Sequence, residues 1–136
     1  MVPTKIAAVV ADEGMREMAA LRTEINRVGV NLRQLIRRID SGAVTIIGTD
    51  VAETLLVLRE LIAKWRAVAT TTTAVAPSHD REEVAAHRHA INAAARRFND
   101  MVRGVNAGSI TVIGADEGEM LSDLRVALEG AQAVAA

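Results

Sequence analysis

The chain of 136 residues has no cysteine, no tyrosine and only two prolines, and its aromatic side chains are Trp65 and Phe98. Without cysteine it forms neither disulfides nor thiolate metal sites. Two aromatic rings are too few for the stacking platforms that bind single-stranded nucleic acid. No apolar run approaches the roughly 18 residues of a membrane helix, and the start of the chain becomes acidic too soon for a secretion signal. We therefore expect a cytoplasmic protein with no membrane contact and no cofactor.

The charge of the chain is unevenly distributed and comes mainly from arginine. Residues 1–70 sum to +2 and residues 71–136 to −3, and only two of the 16 basic residues are lysine. Arginine forms forked contacts with phosphate or carboxylate that lysine cannot form. The isoelectric point of about 6.3 is nevertheless low for a dedicated DNA-binding domain, for which values above about 9 are usual. Local arginine patches on a mixed surface are therefore expected.

The sequence repeats itself at an offset of 66 residues. Residues 22–62 align without a gap with residues 88–128, and 13 of these 41 positions are identical. The identities include the glycines that enclose two β-branched segments, SGAVTIIGTD (41–50) and AGSITVIGAD (107–116). The sequence thus predicts a tandem duplication within one domain, 1–136, with repeats at about 12–69 and 80–134 and a linker at 70–79.

Each repeat is predicted to be a helix, a short strand and a second helix. The long helices show apolar residues at alternating steps of three and four, which is typical of helices packed lengthwise. These seam positions are Met18, Leu21, Ile25, Val28, Leu32, Leu35 and Ile39, and Val84, His87, Ile91, Ala94, Phe98, Met101 and Val105. The expected fold is mainly α: a four-helix bundle with a short two-stranded antiparallel ribbon.

The ribbon follows from the need of every strand for a hydrogen-bonding neighbour. Two equivalent strands in one chain can pair with each other across a pseudo-twofold axis. Period-two alternation then turns some side chains toward the bundle (Val44, Ile46, Ile110 and Val112) and others outward (Thr45 and Thr111). The alternative is a pair of independent β-branched loops.

An acidic pair marks the start of each shorter helix. Asp50 precedes Glu53 by three residues, and Asp116 precedes Glu119 in the same way. We expect each aspartate to be an N-cap whose charge favours the positive end of the helix. The repetition of these acids is thus explained without catalysis.

Catalytic and metal-binding patterns are weak. His87 and His89 are two residues apart, so their side chains diverge on a helix, and His79 belongs to the linker. His87 has Glu83 one turn before it but lies on the seam, where a structural histidine is expected. The glycine turns lack the lysine of a phosphate-binding loop. We predict neither an enzyme nor a metal site.

The candidate contact residues are arginines and amides on the two long helices. The arginines are expected to gather at the ribbon end and to face a phosphate backbone or an acidic partner. Asn26 and Asn92 occupy the same repeat position outside the seam, which favours a contact role. The predicted DNA- or partner-binding residues are Arg33, Arg37, Arg38, Arg96, Arg97, Arg103, Asn26, Asn31, Gln34 and Asn92.

The first repeat resembles the conserved core of the MobC family of plasmid mobilisation proteins. The resemblance covers about 45 residues, within about 21–66, and rests on LRTEINRVGVNLRQLIRRIDSG (21–42) followed by VAETLLVLRELIAKWRA (51–67). Of the family's Gly-x-Asn-Leu-Asn-Gln stretch, Gly29, Asn31, Leu32 and Gln34 are present, while Arg33 replaces the second asparagine. The second repeat keeps only a degenerate copy.

The resemblance implies a relaxosome accessory protein that assists a relaxase at a plasmid transfer origin. Its partners would be duplex DNA or a relaxase-type protein, and the tandem repeat would act as a pseudo-dimer of the family unit, with further oligomerisation left open. Two other hypotheses stay open from the residues alone. One is a helical module for protein interaction with no nucleic-acid role, and the other is a small enzyme or metal protein.

Overall fold

Four helices and two very short strands make up the described part of the protein. The computed structural model describes the backbone of residues 2–71 and 81–132, and the side chains of residues 16–67 and 82–132. The elements are α1 (Val2–Asp40), β1 (Thr45–Ile46), α2 (Thr49–Thr71), α3 (Arg81–Ala107), β2 (Val112–Ile113) and α4 (Ala115–Ala131). The predicted mainly helical class and the order of elements are confirmed. Residues 72–79 of the predicted linker lie outside the described residues.

Helices α1 and α3 lie side by side and run in the same direction. Arg88 Nε, near the beginning of α3, donates to Glu17 Oε2 of α1 at 2.7 Å, and further along both helices Asn31 contacts Asn99. Helices α2 and α4 are aligned in the same way, since Gly118 lies beside Val51 near their beginnings and, further along, the side-chain amide of Gln132 donates to the carbonyl of Leu61. The two members of each pair, α1 with α3 and α2 with α4, are therefore parallel to each other.

Within each half the long and the short helix run in opposite directions. Gly29 of α1 lies beside Ile62 and Arg66 of α2, and Gly130 near the end of α4 lies beside His87 near the start of α3. The main contacts between helices are those of α1 with α3 and α2, and those of α4 with α3 and α2. These contacts enclose one apolar core.

The core consists of the predicted seam residues. In α1 every seam position from Met18 to Leu35 is buried, and Ile39 is partly buried against the core. In α3 the seam is buried except at His87 and Ala94, which are half-buried. The short helices add Val51, Leu55, Leu58, Ile62 and Trp65 from α2, and Leu121, Leu124, Leu128 and Ala131 from α4. Burial of a leucine or isoleucine side chain contributes about 1.5–3 kcal/mol, so this seam is the main source of stability.

The two strands pair in parallel, so the prediction of an antiparallel ribbon was wrong. Thr45 is the partner of Val112, and Ile46 is the partner of Ile113. The Thr45 amide donates to the Thr111 carbonyl and the Ile47 amide to the Ile113 carbonyl, both at 2.9 Å. Because α1 and α3 run in the same direction and end together, the segments that follow them also run in the same direction.

The strand faces also differ from the prediction. Val44 is buried and Thr45 and Thr111 are exposed, as expected, but Val112 is 43% exposed. The next residue, Ile113, is fully buried instead of Val112. The strands pair at an offset of 67 residues, one more than the sequence repeat, and a slip of one residue exchanges the two faces of a strand.

Each long helix ends at a glycine in the left-handed conformation. The φ angles of Gly42 and Gly108 are 81° and 79°. Their amides donate to the carbonyls of Ile39 and Val105, respectively, each at 3.1 Å. These hydrogen bonds satisfy carbonyls at the helix ends, and glycine adopts this backbone conformation without steric cost.

The short helices begin earlier than their acidic residues predicted. Helix α2 begins at Thr49, so Asp50 lies in its first turn and is not an N-cap. The N-cap of α4 is Gly114, whose amide donates to Glu117 Oε2 at 3.1 Å, so Glu117 takes the role predicted for Glu119. Asp50 and Asp116 still lie in first turns, where a negative charge is favourable.

Candidate functional site

A polar groove runs between the parallel helices α1 and α3. Its volume is about 620 Å³, and most of its polar lining consists of amides and guanidinium groups. We call it the amide groove and define it by six lining residues, Asn26, Arg27, Asn31, Asn92, Arg96 and Asn99. Four of these residues, Asn26, Asn31, Asn92 and Arg96, belong to the predicted contact set.

Asn31 and Asn99 join the two walls of the amide groove. Asn31 Nδ2 donates to Asn99 Oδ1 at 3.3 Å, and both residues are half-buried. Asn31 flanks the apolar seam of α1, where a side chain reaches the neighbouring helix without entering the core. Each amide keeps hydrogen-bonding capacity beyond this bond, because an asparagine side chain has two donors and two acceptor lone pairs.

A second amide contact lies closer to the strands. Asn106 Nδ2 donates to Gln34 Oε1 at 3.4 Å, and Asn106 Oδ1 accepts from Arg38 Nε at 3.3 Å. All three side chains belong to exposed residues and surround a smaller cavity that Arg37 also lines. The Asn106 side chain therefore orients both Gln34 and Arg38 on the outer surface of α1.

Asn26 and Asn92 are brought to the same groove. They are repeat-equivalent residues on different helices, and both line the cavity between α1 and α3. Asn26 is exposed and Asn92 is half-buried. Their placement on one surface agrees with the expectation that the repeated asparagine lies outside the seam.

The six predicted arginines do not share one surface. Arg96 lines the amide groove, while its neighbour Arg97 faces α4 and lies 3.8 Å from Asp123 Oδ2. Arg33 lies between α1 and α2, and Arg37 lines that groove and the small cavity near Asn106. Arg103 is exposed near the end of α3. Successive residues of a helix point about 100° apart, which separates the adjacent arginines.

Arg96 and Arg97 also lie about three turns before the end of α3, so they do not reach the strand end where the sequence placed them. Arg37 and Arg38 lie in the last turn of α1 and therefore reach the strand end. The predicted gathering of all six arginines at the ribbon end is therefore not found.

Three residues of the site, Arg27, Asn99 and Asn106, were not predicted from the sequence, and the two asparagines follow a pattern. They are seven residues apart on α3, as are their partners Asn31 and Arg38 on α1. Residues seven apart occupy the same position of a heptad. The sequence did contain a signal for these two asparagines. It has two amides seven residues apart on one long helix, and two polar residues with the same spacing on the other.

The histidines form no metal site in the described part of the chain. No group of three histidine, aspartate or glutamate side chains there could hold an ion. His87 packs against Gly130, whose added Cβ would lie 3.6 Å from the imidazole Nδ1. His89 is exposed, and His79 lies outside the described residues.

The chemistry available in the amide groove is hydrogen bonding by amides and arginines. Asparagine and arginine side chains can pair with the edges of adenine and guanine, and arginine with phosphate oxygens. Glu24 is the one acidic residue of the lining, and its carboxylate lies 3.6 Å from Arg27 Nη1. The described helices include none with the length and apolarity needed to span a membrane. No protein-family model, no curated protein and no solved structure matches the chain.

Proposed function

We propose that this protein is a non-enzymatic accessory module that binds duplex DNA through the amide groove. The proposal depends on one observation: two parallel helices present amide and guanidinium groups on a shared surface. The setting that we propose is plasmid mobilisation in the cytoplasm, where the module would assist a relaxase at the transfer origin. The MobC-like sequence of α1 and α2 supports this setting.

The groove supports a direct role in DNA binding because it offers one kind of group for phosphate contacts and another for base contacts. Arg96 in the groove and Arg38 at the smaller cavity near the strands would contact phosphates, which supply most of the affinity. Asn26 and Asn92 would face base edges, where amides distinguish adenine from other bases. The modest charge of the chain predicts weak binding, which added salt weakens further.

We further propose that the four helices form a bundle built by tandem duplication, so that the two repeats act as a pseudo-dimer. The equivalent glycine turns support this, because Gly42 and Gly108 have matching φ angles and matching amide bonds. In such an arrangement the pseudo-twofold axis runs along the helices. DNA-binding dimers often have the same symmetry relationship with their two half-sites.

The test is gel retardation of the full chain with duplex DNA across a salt series. We expect retention at low salt, with the logarithm of the binding constant falling linearly with the logarithm of the salt concentration. The double variant Arg38→Gln/Arg96→Gln should bind more weakly and lower the salt slope by about two. The control is Arg97→Gln, which removes the same charge one residue away but on the side of α4.

Because the control removes one charge, it is compared with the single variant Arg96→Gln. If Arg97→Gln reduced retention as much as Arg96→Gln, retention would reflect net charge alone, which would contradict a role for the groove. Absence of retention even at low salt would contradict DNA binding altogether. Asn26→Ala/Asn92→Ala addresses recognition separately, because it should change the preference among DNA sequences more than the salt slope.

A second candidate function is a protein-interaction module, and one residue favours it. Val30 lies in the amide groove and is 49% exposed. An apolar side chain within a polar lining is typical of a protein interface with a small apolar centre. This candidate predicts no DNA retention at moderate salt and a defined complex with a relaxase-type protein. Val30→Ser should weaken that complex and leave any DNA retention unchanged.

A further inference from the structure

A second groove, on the other side of α1, lies between α1 and α2. Its volume is about 480 Å³, within the range of small-molecule sites. Four arginines line it, together with Gly29, Leu32, Ile36, Ile62 and Ala63. We call it the arginine groove and define it by its charged residues, Arg33, Arg37, Arg59 and Arg66. No acidic residue belongs to its lining.

The four arginines have no carboxylate partner among the described residues. The ion pairs found in that part of the chain involve Arg27, Arg88, Arg97 and Arg125 instead. All four groove arginines belong to exposed residues. Four like charges around one cavity repel each other, and a bound anion would remove that repulsion.

The floor of the arginine groove is apolar. Leu32 and Ile62 are 3% and 4% exposed, and Ile36 packs against the core from the edge. At Gly29 an added Cβ would lie 3.0 Å from Arg66 Nη2 and 3.1 Å from Ile62 Cγ2, so the glycine lets the Arg66 guanidinium lie against α1. The groove therefore combines charged walls with a surface suited to a short hydrocarbon.

The residues of α3 and α4 at the repeat-equivalent positions differ from those of the arginine groove in charge and size. There Arg125 Nε lies 2.7 Å from Glu129 Oε1. At the repeat-equivalent positions the first half has Arg59 and Ala63, so Arg59 lacks that carboxylate. The second half also replaces two further groove arginines by amides, with Asn99 and Gln132 at the positions of Arg33 and Arg66, and Leu32 by the larger Phe98.

We propose that the arginine groove binds a small, water-soluble amphiphilic anion, namely a phosphate or carboxylate on a short apolar chain. The anionic head takes the place that the Glu129 carboxylate occupies beside Arg125, and it accepts forked hydrogen bonds from Arg59 and the neighbouring arginines. The chain covers Leu32, Ile36 and Ile62. This site is separate from the amide groove and does not depend on DNA binding.

The test is calorimetric titration of the full chain with hexyl phosphate, inorganic phosphate, hexanoate and hexanol. We expect saturable binding of hexyl phosphate with one site per chain. Inorganic phosphate should bind at least about ten-fold more weakly, because burial of several methylene groups is lost. Hexanol should not bind measurably, since it lacks the charge. Hexanoate should bind between hexyl phosphate and hexanol.

The decisive variant is Ala63→Glu, which introduces the i,i+4 pair of the second half into the first. It should reduce hexyl phosphate binding at least ten-fold, and Arg59→Gln/Arg66→Gln should do the same without an added acid. The matched control is Glu129→Ala, which should leave the affinity of this groove within two-fold. Circular dichroism and thermal unfolding of each variant verify the fold.

The absence of saturable binding by the native chain at millimolar hexyl phosphate would overturn the proposal. Binding that persists unchanged in both Ala63→Glu and Arg59→Gln/Arg66→Gln would overturn it equally, because the ligand would then occupy another surface. Binding also predicts a rise in the unfolding temperature with hexyl phosphate that Ala63→Glu abolishes.

Discussion

Asn31 on α1 and Asn99 on α3 are 68 residues apart in the chain and share a hydrogen bond of 3.3 Å across the amide groove. The bond connects the two longest helices at a half-buried position beside the core. A neutral hydrogen bond of this kind contributes about 0.5–1.5 kcal/mol to stability. Loss of this bond should therefore lower the free energy of unfolding by a measurable amount.

We expect Asn31→Ala and Asn99→Ala to lower the free energy of unfolding non-additively. The coupling energy from the double-mutant cycle should be about 0.5–1 kcal/mol, measured by urea denaturation. The equivalent cycle for Asn26 and Asn92, which share no hydrogen bond with each other in the structure, should give a coupling near zero. Additive effects at Asn31 and Asn99 would argue against the contact.

The isoleucines at positions 47 and 113 are repeat-equivalent, yet their side chains lie in opposite environments. Ile113 is fully buried, whereas Ile47 is 61% exposed. Ile113→Ala should lower the free energy of unfolding by about 3 kcal/mol, because it leaves a cavity in the core. Ile47→Ala should change it by less than about 0.5 kcal/mol. Equal effects at the two positions would contradict the strand register.

The glycines at the ends of the long helices should resist substitution. Gly42→Ala and Gly108→Ala place a Cβ on a left-handed backbone, and we expect each to cost about 1 kcal/mol in the free energy of unfolding. Gly130→Ala is the contrasting variant, since Gly130 is helical and its new methyl would meet His87 at an ordinary contact distance. It should stabilise the protein by about 0.5–1 kcal/mol. Thermal unfolding of the three variants provides the comparison.

The ion pair between Glu17 and Arg88 should stabilise the packing of α1 on α3. Its side chains are 23% and 26% exposed, respectively, so solvent screens the pair only in part. We expect a coupling energy of about 1 kcal/mol that decreases with added salt. The exposed pair of Arg125 and Glu129, within one helix, should give about 0.3–0.5 kcal/mol in the same experiment. The reversed pair Glu17→Arg/Arg88→Glu should recover part of the stability that Arg88→Glu loses.

The helices could be predicted from the sequence because the apolar side chains that a helix buries recur every three or four residues. The steps of three and four from Met18 to Leu35 place these residues on one side of α1, and all the seam positions in this range are buried. Periodicity of this kind depends only on local geometry.

The direction of the strands could not be predicted in the same way. An alternating segment such as 43–47 has the same pattern whether its neighbour is parallel or antiparallel. The direction was decided by how α1 lies against α3, which depends on contacts between residues about 70 positions apart, such as Glu17 with Arg88. The one-residue slip that buries Ile113 and exposes Val112 has the same origin.

The candidate site was predictable in part. The sequence singled out Asn26 and Asn92 from their repetition, and both reach the amide groove. Grouping the arginines by closeness in sequence was less successful, because adjacent residues of a helix point to different neighbours. Arg96 and Arg97 show this directly, since one lines the amide groove and the other faces α4.

Because α1 and α3 run in the same direction, the two ends of the molecule, here called its poles, carry different elements. One pole holds both glycine turns and both strands, together with the side chains of Gln34, Arg38 and Asn106. The end of α4 lies toward the opposite pole, as the contact of Gly130 with His87 shows. A tether attached on the α4 side would thus leave the strand-bearing pole facing solution, which suits surface-based binding measurements.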